Sequence, residues 1–116
     1  MNKYDEMSDF EINYLVAKIA TDGEVIGKAD MWPTNNGNAV QIIYKVGISG
    51  EYKDYCNNPA DMWPIIVSNN ISIAHYPSGD AMTFIQGGGF MKFKHESKNA
   101  LMSAAITFLM MKDMTE

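Results

Sequence analysis

The stretch NPADMWPIIVSNNISIAHYPSGDAMTFIQ, residues 58–86, carries helix signals followed directly by strand signals. Asn58 is a favourable N-cap, and Pro59 at the first helical position costs no hydrogen bond, so a helix is predicted to begin here. Pro64 removes the bond to the carbonyl of Ala60 and is predicted to kink this helix or to restrict it to a short turn.

The second half of the stretch predicts a β-hairpin. Residues 71–76 alternate between apolar and polar side chains, residues 77–80 have turn composition, and residues 81–86 read as the returning strand. The glycines at 87–89 interrupt this strand, and residues 90–96 predict that pairing resumes.

Helices are predicted at both ends of the chain. Ser8 and Glu11 have the spacing of a capping box and predict a helix over about 9–20, ended by the turn at Asp22 and Gly23. A last helix is predicted from Ser97 or Asn99 to about Lys112. Its apolar surface is wide, which implies burial on more than one side, either across a sheet or against another subunit.

Between the first two helices, residues 24–28 and 39–48 predict two strands that pair over a loop at 32–38. Residues 49–59 are predicted to form a loop. The predicted order α-β-β-α-β-β-α favours a single α+β domain over 1–116. Its antiparallel sheet of about four to five strands packs against the N- and C-terminal helices and a short central helix.

Composition excludes several classes of function. The net charge is −5 and all nine basic residues are lysine, so DNA or RNA binding is disfavoured. One cysteine excludes an internal disulfide and a multi-cysteine zinc site, and no cofactor or metal is expected. The apolar runs are too short for a membrane span and the first residues too acidic for a signal peptide, which predicts a cytoplasmic protein.

Three stretches together resemble one protein family. They are YDEMSDFEINYLVA at 4–17, DYCNNPADMWPIIVSNNISI at 54–73 and NALMSAAITFLMM at 99–111. The chain resembles the NinX-type family of small uncharacterised proteins of lambdoid phages and prophages. The resemblance implies a phage or prophage origin and the host-cell cytoplasm as location, but no activity, cofactor or catalytic residue.

The middle stretch carries the candidate binding residues Tyr55, Asn57, Asn58, Asp61 and Trp63. Aromatic and amide side chains in this pattern are typical of a recognition surface, where aromatics supply contact area and Asn or Asp direct hydrogen bonds. The structural alternative is that the polar residues cap a helix and satisfy the loop, while the tryptophan anchors the turn in the core.

Cys56 belongs to a competing hypothesis, in which Tyr52, Tyr55, Cys56 and Trp63 line a pocket of a ligand-binding protein or enzyme. A reactive thiol needs a nearby base and an electropositive setting, and "KDYCNNP" (53–59) shows neither. A small buried residue is therefore the favoured interpretation of Cys56.

Residues 87–98 form the basic patch of the chain and carry a weaker hypothesis, binding of a single-stranded nucleic acid. The glycines would accept an anion, the lysines would add charge, and Phe90 and Phe93 would stack. The alternative is a solvated sheet edge guarded by Lys92 and Lys94, with Met91 and Phe93 facing the core.

Catalysis is not indicated. His75 and His95 lack metal-ligand spacing and are predicted to be structural, and there is no Ser/His/Asp order with a nucleophile elbow. The sequence favours a non-enzymatic protein-interaction module that self-associates through the C-terminal helix or a sheet edge, or binds a host or phage protein.

The pentapeptide ADMWP occurs at 29–33 and again at 60–64, and holds both tryptophans. The flanking residues differ, so the copies do not indicate a structural repeat. Trp63 is predicted to be buried at a helix start, and Trp32 to be the more exposed of the two.

Overall fold

The fold is an α+β arrangement in which antiparallel strands and helices alternate along the chain. The computed structural model describes residues 3–21, 24–28, 40–43 and 50–115. Its helices are a 3₁₀ turn (Lys3–Glu6), α1 (Asp9–Ala20), α2 (Pro59–Ser68) and α3 (Ala100–Thr115). Its strands are β1 (Glu24–Lys28), β2 (Val40–Ile43), β3 (Gly50–Lys53), β4 (Ile71–His75), β5 (Ala81–Gly87) and β6 (Phe90–Ser97).

The strands form two three-stranded antiparallel sheets, β1-β2-β3 and β4-β5-β6, within the described ranges. The prediction of α+β with antiparallel pairing is confirmed, but one sheet of four to five strands is replaced by two sheets. The order is α-β-β-β-α-β-β-β-α, because Gly50–Lys53 pairs with β2 where a loop over 49–59 was predicted. The segment GEYK shows no apolar alternation, so its strand conformation comes from cross-strand pairing and not from its own pattern.

The first helix has the predicted bounds and cap. Ser8 Oγ accepts from the Glu11 amide at 3.1 Å, and a Glu11 carboxylate oxygen accepts from the Ser8 amide at 2.9 Å. This is the reciprocal capping box, which satisfies two N–H groups that the helix itself leaves free. The predicted turn at residues 22–23, the loop at 32–38, the continuation of β2 over 44–48 and the first ADMWP copy with Trp32 lie outside the described residues.

The middle helix is longer than its internal proline suggested. α2 runs unbroken from Pro59 to Ser68, with Asn58 as its N-cap. Ala60 and Pro64 both lie on the exposed side, so the carbonyl that loses its partner faces solvent and not the core. The prediction that Pro64 restricts this helix to a short turn is therefore wrong.

The C-terminal helix is central to the fold. It contacts β4, β5 and β6 as well as α1 and α2. Seven consecutive residues of this helix, 103–109, are buried. Of the two explanations of its wide apolar surface, the structure shows burial against the chain's own sheet and helices.

The strand β6 contains a bulge opposite β5. Thr83 pairs with His95 and Ile85 with Lys92, so one extra residue lies on β6 between these pairs. Phe93, in this interval, has a left-handed φ of 57°. The bulge directs the carbonyls of Phe93 and His95 to hydroxyl groups of α3, as described below.

Candidate functional site

The loop before α2 is held against α1 and the start of α3 by side-chain amides. Asn13 of α1 is fully buried; its Oδ1 accepts from the Cys56 amide at 3.0 Å and its Nδ2 donates to Asp54 at 2.9 Å. Asn99, at the start of α3, donates to the Cys56 carbonyl at 2.9 Å. Both backbone polar groups of Cys56 therefore have partners on distant elements, which holds the buried loop in one conformation.

Tyr55 and Cys56 lie inside the core. Tyr55 is 3% exposed and Cys56 has no exposed surface. Desolvation, followed by the nearby carboxylates of Asp9 and Asp54, raises the pKa of the Cys56 thiol far above its ordinary range. A thiol that is buried and held neutral is a poor nucleophile, so the predicted buried cysteine is confirmed.

The remaining polar candidates hold the loop and the helix start. Asn57 donates to Asp9 at 3.0 Å and to Asp54 at 3.2 Å. Asn58 Oδ1 accepts from the Ala60 amide at 3.0 Å, and Asp61 accepts from the Asp54 amide at 2.9 Å. These contacts match the structural alternative, in which the polar residues cap the helix and form the hydrogen bonds of the loop. Of the polar candidates, Asn57 and Asn58 are exposed at the surface.

Trp63 is not buried. Its side chain is 59% exposed on the outer side of α2, and the prediction that it anchors the core is wrong. Met62, Ile65 and Ile66 occupy the buried positions of this helix instead. The reason is the continuous helix: the predicted short turn would have directed Trp63 inward, whereas an unbroken helix places it opposite the core-facing positions.

The outer side of α2 is an apolar stripe. It consists of Ala60, Trp63, Pro64 and Val67, which have i, i+3, i+4 and i+7 spacing and are all exposed. Val67 is 56% exposed. The charged residue of this helix, Asp61, lies toward the loop and pairs with Lys53 at 3.6 Å, so the α2 outer stripe carries no charge.

The proposed pocket around Tyr55, Cys56 and Trp63 is not formed by these side chains. Tyr55 and Cys56 face the core while Trp63 faces outward, and the side chain of Tyr52 lies outside the described part of the structure. Apolar clefts do occur elsewhere, one beside α1 lined by Met7, Phe10, Glu11, Tyr14 and Leu15. It is open and shallow, and no catalytic pair faces into it.

A buried hydroxyl and histidine network joins β5, β6 and α3. Thr83 Oγ1 lies 2.8 Å from both Ser103 Oγ and Thr107 Oγ1. His95 Nδ1 lies 3.0 Å from Ser103 Oγ, and His95 Nε2 lies 2.6 Å from a carboxylate oxygen of Asp5. No local pattern in the sequence indicates this cluster, since its members are up to 102 positions apart.

The cluster brings together an Asp, a His and a Ser, but not as a nucleophilic triad. Ser103 has no exposed surface, and its hydroxyl donates to the carbonyl of His95 at 2.9 Å. A substrate cannot reach it, and its proton is already engaged. The network therefore organises the fold, in agreement with the structural role predicted for His95.

The stretch 87–98 forms the tip and outer strand of the β5–β6 hairpin. Phe90 is 70% exposed, and Lys92 and Lys94 are exposed as predicted. Met91 is also exposed, so the prediction that it faces the core is wrong. Phe93 is half-buried, and its left-handed backbone shows that the simple alternation on which that prediction rested is interrupted here.

The described residues contain no group of three or more His, Cys, Asp or Glu placed to hold a metal ion. The same part of the chain contains no helix that is long and apolar enough to cross a membrane.

A family model matches nearly the whole chain. The model of the family described as "Bacteriophage P22, NinX" matches residues 3–112. The matched range includes the amide-fastened loop, the α2 outer stripe and the hydroxyl network. Among curated proteins, none matches the chain.

Proposed function

We propose that this phage protein, which belongs to the bacteriophage P22 NinX family, is a non-enzymatic interaction module. It binds a protein partner through the α2 outer stripe. The observation that carries the proposal is the exposed Trp63 at the centre of this stripe. Tryptophan is enriched among the residues that dominate binding energy at protein interfaces.

The chemistry of the stripe supports an interface better than a solvated helix face. The exposed side of a surface helix normally carries charged or polar residues, whereas this one presents two aliphatic side chains, a proline and a tryptophan. Burying Trp63 and Val67 in a partner would remove apolar area from water without desolvating a charge. Asn57 and Asn58, exposed at the N-terminal end of the helix, supply polar groups for the rim.

The rigidity of the stripe favours binding as well. Met62, Ile65 and Ile66 anchor the opposite side of α2 in the core, and the loop before it is fastened to α1 and α3. A partner would therefore meet a surface that is already ordered, which reduces the entropic cost of association.

Site-specific photo-crosslinking in phage-infected host cells tests the proposal. A photoreactive residue in place of Val67 should yield a discrete adduct, and one in place of Gln86, exposed on β5, should not. Adding Trp63→Ala to the Val67 probe should abolish the adduct. Identical labelling from positions 67 and 86, or an adduct that survives Trp63→Ala, would overturn the proposal.

The size of the adduct identifies the class of partner. An adduct of twice the chain's mass indicates a second copy, and other masses indicate a host or phage protein. Because Trp63 is mostly exposed, Trp63→Ala should leave the thermal midpoint nearly unchanged, which separates loss of binding from loss of folding.

The weaker alternative, single-stranded nucleic-acid binding by residues 87–98, is supported by the exposed Phe90 beside Lys92 and Lys94. It predicts binding that weakens steeply with salt and is lost when both lysines become glutamine. The absence of salt-sensitive binding to a labelled single strand would remove it.

A further inference from the structure

The sheet β4-β5-β6 has an apolar outer face. Side chains alternate between the two faces along each strand, and one face packs against α3. On β5, Ala81 and Thr83 are buried on the α3 side, whereas Met82 and Phe84 point to the other side and are partly exposed. Neither of the latter two belongs to the apolar residues that pack against the core. An antiparallel sheet that turns a face to water normally carries polar residues there, so these two large apolar side chains are unusual.

The residues of β4 on the same face are small. Register places Ser72 opposite Phe84 and Ala74 opposite Met82. Tyr76, directly after the strand, lies across this face, since its hydroxyl is 3.5 Å from the sulfur of Met82 and its side chain is 38% exposed. The part of the face that β4 and β5 form therefore carries no charge.

The residues of β6 on this face carry one charge of each sign. Lys94 and Glu96 lie on either side of His95, whose ring contacts Ser103 of α3, so both point to the outer face. The Tyr76 hydroxyl lies 3.4 Å from the Glu96 carboxylate and keeps it there. Neither charged residue forms an ion pair with another described residue. Together these side chains form the sheet outer face: Ser72, Ala74, Tyr76, Met82, Phe84, Lys94 and Glu96.

The residues of the sheet outer face are arranged symmetrically about the middle of the sheet. β4 pairs along its whole length with β5, and the middle of this pairing is Ile73 opposite Thr83. Thr83 in turn lies opposite His95. On β6, Lys94 and Glu96 lie one position to either side of this level, and the two large apolar residues of β5 do the same. A two-fold rotation about an axis that crosses the strands here exchanges the members of each pair.

We propose that the sheet outer face binds the same face of a second copy of the chain, across a two-fold axis that crosses the strands at Thr83. Lys94 of each copy then meets Glu96 of the other, and Met82 of each meets Phe84 of the other. Opposite charges therefore oppose each other at the rim, beside an apolar centre. Although the chain has a net charge of −5, this face is neutral, so two copies can approach through it without bringing like charges together.

The size of the face determines the strength of the contact. Its three strands and the five residues of β4 cover roughly 14 by 17 Å, at about 4.8 Å between strands and about 3.4 Å per residue. A standard interface buries about 800 Å² per partner, so this dimer is weak and reversible. It uses no residue of the α2 outer stripe, and Gln86 lies beyond the overlap because β4 pairs with β5 only as far as Ile85.

Charge reversal tests both the association and its register. Sedimentation velocity of the full chain should show dimerisation between about 10 μM and 1 mM, the range expected of a small interface. Lys94→Glu makes both symmetric pairs repulsive and should weaken the dimer about tenfold. Glu96→Lys should weaken it as much, although it reduces the net negative charge of the chain. If overall repulsion alone decided association, this second variant would strengthen it.

An equimolar mixture of the two variants provides the decisive measurement. Every pair between the unlike chains joins opposite charges, so the mixture should regain the dimer of the original protein, which also shows that both variants are folded. Lys92→Glu is the matched control: it makes the same change on the same strand, but Lys92 lies opposite Ile85, on the other face. It should change the dissociation constant by less than about twofold.

Three results would overturn the proposal. They are a monomer at every concentration, equal weakening by Lys92→Glu and Lys94→Glu, and a mixture that stays monomeric. Trp63→Ala separates this contact from the proposed function, because it should abolish the crosslink from position 67 and leave the dimer of the sheet outer face unchanged.

Discussion

At the scale of single residues, two residues other than glycine have a left-handed backbone conformation in the part of the chain that the structure describes. Asn70 and Phe93 both have φ of 57°. Asparagine tolerates this conformation, and Asn70 directly follows the C-cap of α2, where such a residue ends a helix. Phe93 has no such tolerance, and its strain is compensated by the bulge and by the bond from Thr107 to its carbonyl at 2.9 Å.

The effect of a substitution at Asn70 on the free energy of unfolding should depend on the backbone preference of the new residue and not on the size of its side chain. Asn70→Gly should keep the free energy of unfolding within about 0.5 kcal/mol of the original, because glycine adopts positive φ without strain. Asn70→Val should lower it by about 1–2 kcal/mol, because a β-branched residue is strongly disfavoured there. Urea unfolding measures both, and a valine variant as stable as the glycine variant would contradict the assignment of the helix end.

At the scale of elements, α2 determines what the protein presents to its surroundings. The positions of its apolar residues form two sets, one facing the core and one facing solvent. A helix that ended at Pro64 would have no second set, so the α2 outer stripe exists because the chain continues through the proline. The exposed position of that proline limits the cost to one lost hydrogen bond and some crowding.

The two prolines of α2 should respond differently to replacement by alanine. Pro64→Ala restores the bond to the Ala60 carbonyl and should raise the free energy of unfolding by about 1–3 kcal/mol. Pro59→Ala, at the first helical position, gains no intrahelical bond and should change it by less than about 0.5 kcal/mol. Chemical denaturation of both variants is the measurement, and equal effects would show that Pro64 does not interrupt a helix.

At the scale of the whole molecule, buried polar side chains join elements that are distant in sequence. Asn13 and Asn99 connect the Cys56 loop to α1 and α3, and the hydroxyl network connects β5 and β6 to α3. Because buried polar groups cost free energy unless they are paired, such contacts select one arrangement of the layers over alternatives with similar apolar burial.

Because of Cys56, we expect the free energy of unfolding to decrease with rising pH in the alkaline range. Burial raises the pKa of its thiol in the folded protein, so above the ordinary thiol pKa of about 8.5 the unfolded chain binds fewer protons than the folded one. Stability from this group is complete below that pH and is lost as the pH rises. The free energy of unfolding should fall by up to about 1.4 kcal/mol per pH unit more steeply than in Cys56→Ala, above about pH 9.

Parallel pH series of urea unfolding for the two proteins test this expectation. The alanine variant is the necessary control, because burial also raises the pKa of Tyr4. Tyr4 therefore makes the stability of both proteins pH-dependent in the alkaline range. Parallel curves for the two proteins would show that the thiol is accessible to solvent in the folded state.

Local signals in the sequence determined the elements. The capping box at Ser8 and Glu11, the Asn-Pro start of α2 and the alternation over 71–76 are satisfied by near neighbours, so their outcome did not depend on the rest of the fold. The family could also be recognised from three short stretches of sequence, and the match over residues 3–112 confirms it.

Only the tertiary structure decided which surface is exposed and which polar groups meet. The sequence predicts Trp63 in the core as the anchor of a turn, but the direction of a side chain on a helix depends on where the helix packs. Asp5, His95 and Ser103 are separated by most of the chain, and no sequence spacing encodes their contact. Long-range packing brings Asp5 to 2.6 Å and Ser103 to 3.0 Å from the two ring nitrogens of His95, and these contacts join elements that are distant in sequence.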